Sequence, residues 1–201
     1  MIYENIQEEL QILKQLPEPV VTWFRANKRE LPWRDHPDAY RVWVSEIMLQ
    51  QTRVEAVKSY YHRFLEALPD VKALAEAEED QLLKLWEGLG YYNRVRNMQK
   101  AATQIMVDYG GEFPQTYEEI LNLTGIGSYT AGAISSFAFG LAKPAVDGNV
   151  LRVISRITGS DRDIMKQSVR KRMETLLEQV IPADASSDFN QGLIEIGAIV
   201  C

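Results

Sequence analysis

Leu123-Thr124-Gly125-Ile126-Gly127-Ser128-Tyr129-Thr130-Ala131 sets two glycines between two helical patterns, and Asp147 follows a short way on. An apolar segment, Tyr117 to Leu123, leads in at helical spacing, and a small-residue segment, Ser128 to Phe139, leads out. Between them Gly125 and Gly127 allow positive φ, so the chain can reverse tightly. The next helix then starts with N–H groups that have no intrahelical partner, and such a start attracts phosphate. Taken alone, Gly-Ile-Gly serves equally as a plain turn between two packed helices.

The second helix is followed by Pro144-Ala145-Val146-Asp147-Gly148-Asn149-Val150. Helix, G-x-G, small-residue helix, then a Gly/Pro-rich loop and an Asp resembles the helix-hairpin-helix signature of a DNA glycosylase superfamily. Asp147 precedes a helix start, where the dipole and free amides favour the ionised form. A plain N-cap is the other reading of the same position.

Upstream, Tyr40 to Gln51 is apolar on nearly every side, the pattern of a helix buried all round. Glu46 is the exception. At about 100° per residue Val42 and Leu49 fall to one side of it and Trp43 to the other, so its carboxyl shares a face with apolar groups. Burial without a cation would raise its pKa. Gln50-Gln51-Thr52 closes the helix with groups that either cap it or reach a base edge. Before it, Arg29 to Arg34 reads as a loop; Trp33 either plugs a core or, with Arg34, lines a pocket for a planar base.

Elsewhere the period predicts helices over 4–16, 19–26, 53–68, 71–77, 81–88, 94–109, 150–157, 164–180 and 187–200, with Pro17 and Pro19 punctuating the first join. Leu89-Gly90-Tyr91-Tyr92-Asn93-Arg94 is a second glycine turn, with paired aromatics and an arginine. No strand, repeat or low-complexity tract is convincing. The expected architecture is all-α, with about a dozen short helices.

The 201 residues are 46% hydrophobic and 25% charged, ordinary globular material. No apolar run approaches the roughly 20 residues of a membrane span, and 1–5 lack a secretory pattern. The expectation is a cytoplasmic or nucleoid-associated protein without membrane partners. A net charge of −6 argues against coating nucleic acid by bulk electrostatics, so local chemistry must do any binding. Basic residues do cluster, at Arg94, Arg96 and Lys100 and again at Arg152, Arg156, Lys166, Arg170, Lys171 and Arg172, where solvated helix faces are the alternative. The one cysteine, Cys201, excludes a disulfide scaffold within these residues.

From Leu31-Pro32-Trp33-Arg34 through Ser45-Glu46-Ile47-Met48-Leu49-Gln50-Gln51-Thr52, Gly88-Leu89-Gly90-Tyr91-Tyr92 and the hairpin to Phe189-Asn190-Gln191-Gly192-Leu193-Ile194-Glu195-Ile196-Gly197, the chain resembles the catalytic portion of the adenine DNA glycosylase (MutY) family. The resemblance implies a helix-hairpin-helix glycosylase fold of two helical subdomains, 32–140 and 1–31 with 141–201, with the active site in the cleft between them. It implies a monomer that acts on double-stranded DNA and hydrolyses the N-glycosidic bond of adenine opposite 8-oxoguanine or guanine. The base must then be extruded into a pocket.

Under this resemblance Glu46 is the acid that protonates the leaving adenine, and Asp147 the anion facing the oxocarbenium ion. Tyr129 stands where the related endonuclease III type has a Schiff-base lysine; a phenol cannot form that adduct, which favours a monofunctional hydrolase. Leu31, Trp33 and Arg34 would line the adenine pocket. Gln50, Gln51, Thr52, Gly90, Tyr91, Gly125, Gly127 and Ser128 would meet DNA, with Gln51 and Tyr91 filling or wedging the opened stack. The backbone carbonyls of Leu121, Leu123 and Ile126 would hold a monovalent cation beside a phosphate.

Two departures stand out. Thr124 replaces a usual Pro, at some cost in rigidity. The family's 4Fe-4S cluster uses cysteines spaced C-x6-C-x2-C-x5-C, and this chain ends at what would be the first, Cys201, so a cluster is expected in a full-length protein and not here. The family's C-terminal domain for 8-oxoguanine is likewise missing, which suggests a fragment. The competing readings are an oxidised-pyrimidine glycosylase/lyase on the same fold, against which Tyr129 speaks, and a non-catalytic DNA-binding module, which would require neither Glu46 nor Asp147.

Overall fold

The computed structural model describes residues 6–201; the expected helix start at Glu4 lies outside them. In chain order the described residues form α1 (Ile6–Leu13), α2 (Pro17–Asn27), α3 (Ala39–Leu49), α4 (Val54–Ala67), α5 (Val71–Glu76), α6 (Glu79–Trp86), α7 (Asn93–Asp108), α8 (Tyr117–Leu121), α9 (Ser128–Phe137), α10 (Gly148–Thr158), α11 (Gln167–Leu177) and α12 (Ser186–Ile199). A 3₁₀ turn, Pro32–Arg34, lies where the sequence suggests only loop, and no strand occurs among the described residues. The chain is all-α, as its periodicity predicts.

Short polar signals set several helix starts. Asp38, Asp70 and Asp147 each accept from the amide three residues on, at 2.8 Å in every case. At α8, Thr116 accepts from the Glu119 amide and donates its hydroxyl to the Glu119 carboxylate at 2.6 Å. The prolines expected to break the chain between the first helices instead open α2, with Pro17 as its first residue. A proline there gives up an N–H that has no intrahelical partner anyway.

The helices divide into two compact units, one holding residues up to Arg29 together with Ser135–Cys201, the other Glu30–Ile134. In the first, α12 packs on α2 and α10, and α1 on α10 and α11. Leu13, Ile154, Met173, Leu176 and Phe189 lie at its centre. Two buried carboxylates tie it together. Glu9 on α1 receives Arg172 at 2.7 Å and also Arg162, and Glu195 on α12 receives the Arg29 guanidinium at 2.8 and 2.9 Å and its amide at 2.9 Å.

In the second unit α3 is buried along its length apart from Arg41 and Leu49, as a helix apolar on every side must be. Trp43 meets Tyr40 and Phe113 edge-on, with ring centroids 6.3 and 5.6 Å apart, and Phe64 meets Trp86 at 6.0 Å. Around it α4 packs on α3 and α6, and α7 on α5 and α6.

Candidate active site

Glu46 sits mid-α3 with only 6% of its surface exposed, on a helix whose Val42, Trp43 and Ile47 are buried as well. Its environment is less apolar than the helix pattern suggests. The Tyr129 hydroxyl, in the first turn of α9, donates to Glu46 Oε2 at 2.6 Å. The tertiary fold thus joins the hairpin helix to the buried carboxyl across more than eighty residues of sequence.

The hairpin leading to Tyr129 is a tight turn between α8 and α9. The Ile126 amide donates to the Leu123 carbonyl, and the first bond of α9 runs from the Ala131 amide to the Gly127 carbonyl. Gly125 has φ +79, the left-handed region, and lies so close to α7 that a Cβ there would stand 2.7 Å from Asn97 Cβ. Gly127 corrects the sequence reading: its φ is not positive, and a Cβ there would meet no atom within 4 Å. The turn requires one glycine, and the second leaves open space beside the chain. Thr124 is compensated too. Its amide donates to Gln104 Oε1 of α7 at 3.2 Å, a bond that proline could not make.

Where the expected helix over 40–51 ends, α3 stops at Leu49, and Gln51 takes φ +60. Tyr91, in the second glycine turn, takes φ +47 and is 69% exposed. They are the only non-glycine residues with positive φ among those described, a conformation costing about 1–2 kcal/mol per residue. Thr52 folds back, donating its hydroxyl to the Gln50 carbonyl at 3.4 Å. A cavity of about 360 Å³ in this unit is lined by Trp43, Gln50, Tyr91, Arg94, Asn97 and Gly125 among others. It brings together several residues that the sequence suggests face DNA.

Leu31 and Trp33 are buried, at 5% and 7%, and the Trp33 ring meets Tyr61 edge-on at 5.5 Å. Burial pushes the Tyr61 phenol up to about 12, outweighing the nearby Arg41 charge. Arg34 is half-buried.

In the other unit Asp147 is the N-cap of α10. Its Oδ1 accepts the Val150 amide at 2.8 Å and its Oδ2 the Asn149 side-chain amide at 2.7 Å; Arg152 in turn donates to Asn149 Oδ1 at 2.8 Å. The loop before it is held by Asn190, 1% exposed, which accepts from the Ala145 amide and donates to the Lys143 carbonyl, both at 3.0 Å. Arg170 donates to the Val146 carbonyl. The sequence suggests that the helix start favours the anion. In the structure burial pushes the Asp147 carboxyl above the ordinary aspartate value, and the Val150 and Asn149 hydrogen bonds and Arg152 only partly offset this.

The basic clusters divide: Arg96, Lys100, Arg156, Lys166 and Lys171 are exposed, as on solvated helix faces, while Arg94, Arg152, Arg170 and Arg172 are partly buried. Arg94 donates to five backbone carbonyls, Arg96 pairs with Glu79 at 3.0 Å, Arg156 donates to the Cys201 carbonyl and Arg172 to Glu9. Sequence reading missed the roles of Asn149, Arg152, Asn190 and Gln104. Only the nearness of Asn149 to Asp147 could have signalled one of them.

No group of three or more His, Cys, Asp or Glu side chains is arranged to hold a metal among the described residues, and Cys201 is an exposed lone thiol. These residues do not fit a 4Fe-4S cluster. No helix among them is long and apolar enough to cross a membrane.

Residues 44–179 match the family model described as the HhH-GPD superfamily base excision DNA repair protein. The chain is 39% identical over 183 residues to the adenine DNA glycosylase of Buchnera aphidicola subsp. Acyrthosiphon pisum, covering 90% of this chain and 52% of that protein. To the adenine DNA glycosylase of Homo sapiens it is 42% identical over 191 residues, covering 90% and 35%. The chain thus spans about half or less of the length of these relatives. Among solved structures it is similar to a thermostable thymine-DNA glycosylase, with TM-score 0.82, 27% identity and coverage of 96% and 88%. A non-covalent endonuclease III–DNA complex gives 0.77, 26%, 95% and 86%.

Proposed function

The chain belongs to the HhH-GPD superfamily of base excision DNA repair proteins, and on that premise we propose that it carries the catalytic part of a monofunctional adenine DNA glycosylase. Its substrate is double-stranded DNA with adenine opposite 8-oxoguanine or guanine, and its reaction is hydrolysis of the N-glycosidic bond. The observation that carries this reading is the 2.6 Å bond from the Tyr129 phenol to the buried Glu46 carboxyl. A lyase of this superfamily requires an amine at the hairpin, and a binding module has no use for a carboxyl inside a helix core.

Adenine leaves poorly as an anion, so its ring must gain a proton as the bond to C1′ breaks. Glu46 supplies that proton, and Tyr129 fixes the plane of its carboxyl through Oε2. The sugar becomes an oxocarbenium ion, whose charge the Asp147 anion offsets until water attacks C1′. The Val150 amide and Asn149 hold Asp147 in place for this. Leu31, Trp33 and Arg34 border the pocket for the extruded base. Gln50, Gln51, Thr52, Gly90 and Tyr91 meet the opened duplex, while Gly125, Gly127 and Ser128 meet its backbone. The open space beside Gly127 is what a phosphate approaching the first turn of α9 needs. The Leu123 carbonyl, with one lone pair engaged by the Ile126 amide, has a second for a monovalent cation shared with the Leu121 and Ile126 carbonyls, which would neutralise that phosphate.

The test is single-turnover release of adenine from an A:8-oxoguanine duplex. Glu46→Gln keeps the shape and removes the transferable proton, so release should fall at least about a thousandfold while DNA affinity changes little. Near-parental release by Glu46→Gln would remove Glu46 from the mechanism, and a borohydride-trapped covalent band with the parent would restore the lyase reading.

A further inference from the structure

Arg94 is the one basic residue of its cluster whose charge is spent wholly inside the fold. One terminal nitrogen, Nη1, donates to the carbonyls of Ile47 at 2.8 Å, Gln50 at 2.6 Å and, more weakly, Met48 at 3.4 Å. The other, Nη2, donates to Leu89 at 3.0 Å and Gly90 at 3.3 Å. The first set belongs to the open C-terminal end of α3, where a cation is favoured by the unsatisfied carbonyls. The second belongs to the glycine turn. The guanidinium also lies near the faces of Trp86 and Tyr91, 5.3 and 5.9 Å from their centroids, and the Trp86 indole N–H holds the Gly90 carbonyl at 3.0 Å.

The carbonyls that Arg94 grips immediately precede the two strained residues. Gln50 comes just before Gln51, and Leu89-Gly90 just before Tyr91, and these are the two non-glycine residues held at positive φ. Backbone in that region persists only where its surroundings over-determine it. One planar fork with donors on two sides suits this task; an ammonium, a single point of charge, cannot reach both sets with matching geometry.

We propose that Arg94 is a positioning residue whose guanidinium clamps the end of α3 to the glycine turn and so holds Gln51 and Tyr91, as a rigid pair, in the conformation in which they enter the opened duplex. This rests on the reading above that Gln51 and Tyr91 face DNA. The clamp itself is a property of the free protein and is tested there first.

The variants are Arg94→Lys, which keeps the charge, and Arg94→Gln, which keeps two donors. Both are made in the full chain labelled with 3-fluorotyrosine, with the Tyr91 fluorine resonance assigned by Tyr91→Phe. In each variant the Tyr91 resonance should move toward the averaged value of a tyrosine in an unstructured peptide, as its fixed conformation is lost, while the other tyrosine resonances stay in place. An unmoved Tyr91 resonance, or a change spread over all tyrosines, overturns the clamp, as does outright unfolding of both variants, which would make Arg94 a plain core residue.

Duplex affinity then closes a cycle. Arg94→Lys should weaken binding to an A:8-oxoguanine duplex about tenfold in the parent and not at all in a Gln51→Ala, Tyr91→Ala background, because the residues through which it acts are gone. Additive losses would overturn the proposal. If the Gln51→Ala, Tyr91→Ala pair itself binds the duplex as the parent does, the reading of those two residues as DNA-facing fails, and the fluorine signal still decides the clamp.

Discussion

Glu46 and Asp147 are both carboxyls with hydrogen-bond donors around them, yet the donors differ in kind. Glu46 meets a neutral phenol, and Asp147 meets two amide donors with Arg152 behind them. Burial nevertheless pushes Asp147 up, so the folded chain holds that proton more tightly than the unfolded chain does. As pH rises from the ordinary aspartate range through the raised value, the unfolded state therefore binds fewer protons, and stability falls across that window. Asp147→Asn, with an equally good N-cap, should keep or raise the thermal midpoint at neutral pH, abolish this fall, and still slow the bond-breaking step about a hundredfold or more. Calorimetry against pH together with single-turnover release checks it; a large loss of stability in Asp147→Asn would make the residue chiefly a cap. Tyr129→Lys tests the neighbour. An amine at that position would pair with Glu46 and keep its proton, so borohydride trapping should give a covalent band far weaker than a natural lyase gives, and none in the parent.

Among elements, the hairpin divides its labour between two glycines that look equivalent on paper. Gly125→Ala places a Cβ in the left-handed region and 2.7 Å from Asn97 Cβ, so it should lower stability by about 2–4 kcal/mol. Gly127→Ala meets neither obstacle and should fold like the parent while losing duplex affinity, because its Cβ occupies the space left for a phosphate. Urea denaturation and a duplex titration on the two variants check the pair; equal destabilisation by both would refute the division. The sequence pattern carried the existence of α3, the hairpin and α10 well, because buried faces and cap residues are local signals. It could not carry the exit from α3 at Leu49 or the left-handed Gln51, because those follow from Arg94, forty-odd residues away in the chain.

At the scale of the whole molecule, one compact unit joins distant parts of the described chain, since residues 6–29 share a core with Ser135–Cys201. Glu9, fully buried on α1, is bound by Arg172 on α11 and by Arg162 in the loop before it. Glu9→Ala leaves two guanidinium groups facing a void, and the loss should be about 3–5 kcal/mol. Thermal unfolding followed by circular dichroism checks this, and a shift no larger than that of an exposed Glu→Ala control would show the ion cluster to be dispensable.

The helical class, the helix-hairpin-helix and the family are legible along the chain, because periodicity, glycine punctuation and capping are written within a few residues of one another. The sequence also singled out Glu46, as the lone carboxyl on an apolar helix. The tertiary structure alone decided what Glu46 meets, which glycine the hairpin turn requires, and that burial outweighs the helix start at Asp147. It alone turned Arg94, Arg170 and Arg172 inward, onto carbonyls and a buried carboxylate. The reason is one of range. A guanidinium or a phenol finds its partner through space, and no local pattern records which distant backbone will leave a carbonyl or a carboxylate unsatisfied beside it.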